Sequence, residues 1–126
     1  MIKYNLNEWE GVWIGEGVTH REVKLFASPK SKINAETFAV GMTIVGAGQR
    51  HEVHEHEANR EMIVVYDGEG ILQNGGKEYP VCKGDILGFG YQENHGFINT
   101  GNEPLMLCWI YYPPGAADDK FYISHE

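Results

Sequence analysis

Hydrophobic and polar residues alternate along this chain in short runs that glycine, proline and asparagine separate. Residues 18–26 (VTHREVKLF) follow the two-residue period of a β-strand, and residues 38–45 (FAVGMTIV) are apolar on both faces, which predicts a buried strand. Asn74-Gly75-Gly76 predicts a tight hairpin turn, and Pro80 predicts a sheet edge or a strand end. Further strands are predicted over residues 62–66, 69–73, 77–81, 86–90, 94–99 and 105–112, the last being the most hydrophobic.

The two ends of the chain do not continue this pattern. Residues 1–16 carry Trp9 and Trp13, but Gly11 between them disfavours a helix, so we predict an irregular segment that covers a hydrophobic surface. The C-terminal tail is polar apart from an apolar patch at residues 121–123, which we predict to dock on the body of the protein. With no long helix and about eight to ten short strands, the pattern predicts an all-β sandwich or barrel.

Size, composition and charge narrow the class of protein. A chain of 126 residues with 42% hydrophobic residues is expected to form one folded domain, residues 1–126. A net charge of −8 argues against a nucleic-acid partner, which would need a basic surface. Cys82 and Cys108 show no disulfide framework or C-x-x-C spacing, and no segment resembles a signal peptide or a membrane span. We therefore predict a soluble, cytoplasmic protein without a membrane partner.

The candidate chemistry is concentrated in residues 48–68. His54 and His56 lie two apart, so in a strand both imidazoles project from one face, and Glu61 follows after a short turn. Two imidazoles and a carboxylate are most of a transition-metal site. His51 is predicted to lie on the opposite face, outside this site, and the alternative is a functional role at the barrel mouth. The alternative interpretation is a charged surface loop, because three neighbouring glutamates are expected to face water: Glu52, Glu55 and Glu57.

Two blocks of residues in this chain resemble the two sequence motifs of the cupin family. The first block, with the family spacing throughout, consists of Gly48, His54, His56, Glu61 and Gly68. The second consists of Gly84, His95 and Asn99. The chain departs from the second motif at Gly90, where the family prefers proline, and at Gln92, where it prefers glycine. These two positions shape the turn before the histidine rather than contact a metal.

The resemblance implies a double-stranded β-helix, which is a jelly-roll barrel, with its core over about residues 17–113 and the terminal segments packed on it. It also implies a metal inside the barrel, with four ligands: His54, His56, Glu61 and His95. Three imidazoles and one carboxylate suit divalent iron, manganese, nickel, copper or zinc, and leave one or two coordination positions open. Cupins of this size often pair through their outer sheets, so a homodimer is expected.

Two functions fit such a metal site. The first is a small metalloenzyme of the dioxygenase, isomerase or lyase type, acting on a small oxygen-rich molecule such as a carboxylate, a keto compound or a sugar acid. The second is a non-catalytic module that senses or binds a small ligand in the same pocket. An acid or base near an open metal position would favour the enzyme, and a sealed or apolar pocket would favour the binding module.

A few further residues are candidates for roles around the metal. Tyr91 and Glu93 flank the approach to His95 and are candidates for a general acid or base, the alternative being an exposed loop. Arg21 could bind a substrate carboxylate through its planar guanidinium, or lie at the surface with its head group in water. Five apolar residues are predicted to line the barrel or form its core: Met42, Ile63, Phe89, Phe97 and Trp109.

Overall fold

Two β-sheets form the fold in the computed structural model, which describes residues 1–55 and 58–124. In chain order the strands are β1 (Val12–Ile14), β2 (Arg21–Ser28), β3 (Ile33–Asn34), β4 (Ala39–Val45), β5 (Arg50–His54), β6 (Arg60–Asp67), β7 (Glu69–Asn74), β8 (Lys77–Cys82), β9 (Ile86–Phe89), β10 (His95–Asn99) and β11 (Leu105–Tyr112). The larger sheet has the order β1-β2-β4-β11-β6-β9, with β3 beside β2. The smaller sheet has the order β5-β10-β7-β8. This arrangement confirms the predicted all-β jelly roll.

Most strands begin and end within a few residues of the prediction, and β11 matches it in full. The strand predicted from residue 18 begins instead at Arg21, because Gly17–Thr19 forms a short 3-10 turn. The Thr19 hydroxyl stabilises that turn, since it accepts a hydrogen bond from the Glu16 amide (3.1 Å) and donates one to the Glu16 carbonyl (2.9 Å). Alternation alone could not reveal this local bonding.

The hairpin between β7 and β8 confirms the turn and edge predictions. Asn74 pairs with Lys77, and the two glycines between them have φ values of +59° and +76°. Both values lie in the left-handed region that a two-residue hairpin turn requires. β8, which contains Pro80, is the last strand in the order of the smaller sheet. The missing amide hydrogen of proline is therefore tolerated there.

The hydrophobic core lies between the two sheets. Leu105, Leu107, Trp109 and Tyr111 of β11 are all buried in it, while the residues between them are half-buried on the outer face. Four of the five apolar residues predicted to line the barrel belong to this core: Ile63, Phe89, Phe97 and Trp109.

Met42, the fifth of these residues, is buried on the other face of the larger sheet. Its cross-strand neighbour is Lys24, whose ammonium group donates a hydrogen bond to the Leu6 carbonyl (2.7 Å). The N-terminal segment therefore covers this part of the sheet.

Both terminal segments pack on the barrel. Trp9 is buried and donates its indole N–H to the Leu25 carbonyl (2.8 Å), as expected for a covering segment, whereas Trp13 lies exposed on β1. A short helix, α1 (Ala117–Phe121), brings the Phe121 ring to 5.6 Å from the Trp109 ring, so the tail contacts the core at this residue. α1 has five residues, and none of the helices in the described residues could span a membrane.

Candidate metal centre

Three polar side chains that are distant in sequence meet inside the fold. His54 ends β5, Glu61 lies near the start of β6 and His95 begins β10. One ligand atom of each lies within 4.8 Å of the others, so these residues could hold a metal ion. Glu61 and His95 are only 4% and 1% exposed. The structure thus brings together three of the four predicted ligands, and the fourth, His56, lies outside the described residues.

Backbone carbonyl groups orient both imidazoles. Nδ1 of His54 lies 3.1 Å from the carbonyl oxygen of Glu52, and Nδ1 of His95 lies 3.2 Å from that of Glu93. Because a carbonyl can only accept, each contact requires a proton on Nδ1, and the neutral ring then presents the lone pair of Nε2. Metal-binding histidines are commonly held in this way.

The closest contact in the group joins a nitrogen to a carboxylate. Nε2 of His95 lies 2.7 Å from Oε1 of Glu61, and both residues are buried. A nitrogen and a carboxylate oxygen lie this close only with a proton or a cation between them, so a metal would take the place of a shared proton. Imidazole nitrogen and carboxylate oxygen together are donors that divalent manganese, iron, nickel, copper and zinc accept. The described residues therefore fit a transition metal of this kind.

Packing fixes the plane of the His95 ring. The Phe89 ring lies parallel to it, with centroids 4.0 Å apart and an angle of 15° between the planes. Phe89 is also the cross-strand neighbour of Glu61, so the same phenyl ring borders both members of the closest pair. An apolar wall at this point lowers the local dielectric constant and strengthens the attraction between a cation and the carboxylate.

A β-bulge adds another imidazole to the site. His54 is paired with His95, and His51 with Phe97, so three steps along β5 correspond to two along β10. The extra residue turns His51 to the side of His54, and their ring centroids lie 4.4 Å apart. The prediction that His51 lies on the opposite face is therefore wrong, because the two-residue period of a strand does not hold across a bulge.

Gly96 allows this bulge to form. A Cβ at this position would lie 2.8 Å from the Val53 amide nitrogen and 2.9 Å from the His51 carbonyl oxygen. Real Cβ atoms do not approach backbone atoms so closely, so β5 can press against β10 only where the partner residue has no side chain. The glycine that follows His95 was the sequence signal that could have located the bulge.

His51 is held in its neutral form. Burial, together with the His54 ring and the Arg21 guanidinium, lowers the pKa of His51 from 6.5 to about 3, against an opposing effect of Glu61. Its Nδ1 lies 2.9 Å from the carbonyl oxygen of Glu52, the same oxygen that binds His54. This single carbonyl therefore orients two imidazoles.

A cleft of about 420 Å³ adjoins the three-residue group. His54 belongs to both the group and the cleft, and Tyr111, which lines the cleft, is the cross-strand neighbour of Glu61. The cleft therefore gives a small molecule access to the metal-binding side chains. Its remaining lining residues include Arg21, Thr43, His51, Glu52 and Lys120.

Arg21 lies in this cleft as the carboxylate hypothesis requires, but it already has a carboxylate partner. Its Nη1 and Nη2 lie 2.9 and 3.1 Å from the two carboxylate oxygens of Glu52, and Nη1 also donates to the Thr19 carbonyl (2.8 Å). Partial burial acts to raise the pKa of Glu52, but the hydrogen bonds from Arg21 and from the Glu52 backbone, together with the charge of Arg21, outweigh it and hold the pKa below its usual value. Arg21 is 4% exposed, so the interpretation as a surface arginine does not hold.

Tyr111 is a residue of the site that sequence reasoning missed. Burial and the nearby Glu61 carboxylate raise the pKa of Tyr111 well above its ordinary value, so the phenol keeps its proton at neutral pH. A buried phenol beside a carboxylate can donate a hydrogen bond to an oxyanion. No motif marks this residue in the sequence, because Tyr111 lies near the end of a uniformly hydrophobic strand.

The loop before β10 is braced by Glu93. Its two carboxylate oxygens accept hydrogen bonds from the Gly90 amide (3.0 Å) and the Asn74 side chain (3.2 Å), which lower the pKa of Glu93. Gln92, at the position where cupins prefer glycine, has φ of +59°. The loop therefore adopts at Gln92 a left-handed conformation, which glycine would adopt more easily. Tyr91 is exposed, and its ring lies 5.2 Å from the Arg60 guanidinium rather than in the three-residue group.

The other motif residues have structural roles. Asn99 is buried and donates to the carbonyl oxygens of Val45 and Glu103, both at 2.9 Å, so it joins the end of β10 to two other segments. Gly68 has φ of +88°, and a Cβ there would lie 2.5 Å from the Pro104 carbonyl oxygen. The motif thus specifies the scaffold as well as the ligands.

Comparison with known proteins agrees with this geometry. The family model described as the Cupin domain matches residues 41–111, more than half of the chain, so the chain belongs to the cupin family. The crystal structure of a predicted oxalate decarboxylase from Thermotoga maritima superposes with a TM-score of 0.77, covering 89% of this chain and 99% of that chain. The sequences are 21% identical, so this similarity establishes the shared fold.

Two relatives share parts of the sequence. An oxalate-binding protein from Thermotoga maritima is 36% identical over 53 residues, which are 42% of this chain and 44% of that protein. An uncharacterized protein from Methanocaldococcus jannaschii is 29% identical over 76 residues, which are 60% of this chain and 61% of its own length. This chain thus spans less than two thirds of either relative in these matches.

Proposed function

We propose that this protein binds a divalent transition metal through His54, His56, Glu61 and His95 and acts as a small metalloenzyme on an oxygen-rich acid. The observation that carries the proposal is the convergence of His54, Glu61 and His95 beside an open cleft. Burying the Glu61 carboxylate beside two imidazoles has a desolvation cost, which a bound cation would offset.

The residues of the cleft suit a small carboxylate. Arg21, Tyr111 and Lys120 offer hydrogen-bond donors, and they lie in the same cleft as His54. A bound metal would supply Lewis-acid polarisation of a ligand oxygen. The cleft side chains would orient the acid, and the Tyr111 phenol, which stays protonated, would donate to the oxygen on which negative charge develops. Oxalate, which appears in the name of one relative, belongs to this class of ligand.

A non-catalytic binding module is the second candidate, and one observation favours it. Glu93 and Tyr91, the acid or base candidates predicted from the sequence, are engaged with the loop and with Arg60 instead of the three-residue group. A site that holds a ligand without a base to transfer protons would bind and not convert it. Tyr111 is the residue on which the choice between the two functions depends.

Metal analysis tests the proposed ligands. Protein purified without a histidine tag is expected to contain about one transition metal per chain, and His54→Ala and His95→Ala are expected to lose most of it, since each removes one of about four ligands. His20→Ala is the matched control, because His20 is exposed and stacks on Trp13. Metal content equal to the parent in both ligand variants would overturn the proposal.

Turnover and binding separate the two candidate functions. Metal-loaded protein is mixed with oxalate and other small acids, binding is measured by calorimetry, and products are detected by NMR. The enzyme hypothesis predicts turnover that falls at least tenfold in Tyr111→Phe, as expected for a lost hydrogen-bond donor, while metal content is retained. Binding without turnover across the panel would instead establish the binding module.

The predicted homodimer belongs to this proposal. A depression of about 420 Å³ at the N-terminal segment is lined mainly by apolar side chains and has no histidine or carboxylate in its lining, which suits contact with another protein surface better than metal chemistry. Its apolar lining residues are Met1, Ile2, Tyr4, Leu6, Trp9, Phe26 and Ile33. Light scattering at micromolar concentration measures the assembly, and a monomer would contradict the expected dimer.

A further inference from the structure

His51 presents an uncharged acceptor to the cleft, because its ring can only accept a further hydrogen bond, whereas Glu52 and Glu55 present charged carboxylates. Its Nδ1 proton is bound by the Glu52 carbonyl oxygen at 2.9 Å. Within the described part of the chain, Nε2 of His51 makes no hydrogen bond. An imidazole of ordinary basicity is mostly neutral above pH 7, so Nε2 presents a lone pair and no proton.

His51 lies beside the three-residue group without belonging to it. Its ring centroid is 4.4 Å from that of His54 and 6.3 Å from that of His95, and the rings of His51 and His95 are nearly parallel. The group whose ligand atoms lie within 4.8 Å of one another comprises His54, Glu61 and His95 and does not extend to His51. His51 is therefore placed to contact a molecule bound at the metal and not the metal itself.

Three other side chains of the cleft impose a different requirement on the ligand. The side chains of Arg21, Tyr111 and Lys120 are donors, which match the oxygens of a carboxylate. Nε2 of His51 is matched only by a donor on the ligand. A site with a committed acceptor disfavours an analogue that lacks the donor, because the acceptor is then left without a partner.

We propose that His51 is a specificity-determining residue that accepts a hydrogen bond from the bound acid. The cleft then prefers 2-hydroxy acids, which carry a donor beside the carboxylate, to 2-oxo acids of the same size. This inference rests on the proposed function, since it assumes that an acid binds at the metal. The bulge opposite Gly96 produces the preference, because it turns His51 into the cleft.

Lactate and pyruvate test the proposal, since both can chelate a metal through two oxygens and only lactate has a hydroxyl proton to donate. Dissociation constants of both are measured by calorimetry on zinc-loaded parent protein, His51→Leu, His51→Gln and His20→Leu. The preference for lactate is expected to fall roughly fivefold in His51→Leu, the value of one neutral hydrogen bond. His51→Gln, which retains an acceptor, is expected to keep part of it, and His20→Leu all of it.

Metal content of the same variants excludes a simple loss of the site. His51→Leu is expected to hold as much zinc as the parent and to bind pyruvate within twofold of it. An unchanged ratio of lactate to pyruvate affinity in His51→Leu would overturn the inference and leave the proposed function standing. Loss of zinc in His51→Leu would also overturn it, since His51 would then be a ligand. Parent protein that binds zinc but neither acid would overturn both proposals together.

Discussion

β10 has two neighbours, and it pairs with them in different ways. On one side it matches β7 residue by residue, from Gly96 opposite Gln73 to Asn99 opposite Gly70. On the other side its register with β5 is interrupted by a bulge between His95 and Phe97. The residues paired between β10 and β7 include no member of the three-residue group. The residues paired between β10 and β5 include two of its members, His54 and His95. The irregular pairing is therefore the part of the sheet that builds the site.

The connecting loops differ in the same way. The β7–β8 turn uses glycines at its two left-handed positions, which is the unstrained choice. The loop before β10 has Gln92 at φ of +59° and needs the Glu93 side chain to hold it. The β7–β8 turn thus has the residues that its backbone conformation favours. The loop that leads to His95 does not, as is common at functional sites.

Among these predictions, Gly96→Ala should have the largest effect, because it disrupts the interrupted pairing of β10 with β5 and leaves the regular pairing with β7 in place. The added Cβ would meet backbone atoms of Val53 and His51 at 2.8–2.9 Å, so β5 must move away and the bulge must open. We expect the free energy of unfolding to fall by about 2–3 kcal/mol and metal affinity to fall with it. Thermal and urea unfolding with metal analysis measure both quantities.

Gly88→Ala is the matched control for this substitution. Gly88 lies in the extended strand β9, and no atom would lie within 4 Å of a Cβ there. Its unfolding free energy should remain within about 0.5 kcal/mol of the parent. Equal effects of the two alanines would show that the bulge does not depend on the missing side chain.

The pH dependence of the unfolding free energy should show that His51 stays neutral in the folded protein. Below pH 6.5 the unfolded chain gains a proton at His51 that the folded chain does not accept until about pH 3. The free energy of unfolding of metal-free protein therefore falls as the pH drops through this range, by about 2 kcal/mol at pH 5 from this group. Urea unfolding of the parent and of His51→Gln should differ in slope between pH 7 and pH 5. Parallel curves would contradict the placement of His51.

Gln92→Gly should have the smallest effect, and in the opposite direction. Glycine adopts φ of +59° without the steric penalty that glutamine carries, so we expect a gain of about 1 kcal/mol in unfolding free energy. Gly75→Ala is the reciprocal change in the regular turn, at the same φ and with open space around the Cβ, and it should lose a similar amount. A loss of stability in Gln92→Gly would mean that the glutamine side chain stabilises the loop.

Much of the fold could be predicted because short segments of the sequence determine the strands and turns. The two-residue period, the glycine-rich turns and Pro80 predicted most strands. The resemblance of the two motifs to those of cupins grouped His54 and Glu61 with His95. What could not be predicted depends on pairing between distant segments. His51 was assigned to the wrong face because a bulge is a property of two strands together, and only Gly96 marks it in the sequence. Tyr111 became a site residue only because β11 lies against β6, which puts it beside Glu61.

The ion pair between Arg21 and Glu52 has a consequence for which acids can use the cleft. Glu52 is tethered beside the guanidinium, so its carboxylate competes with any incoming anion at an effective concentration of roughly millimolar or more. A dilute simple anion cannot displace it through charge alone. An acid held at the proposed metal would be tethered in its turn and could compete with Glu52 on equal terms. Under the proposed function, the pair would therefore favour acids that chelate the metal over simple carboxylates.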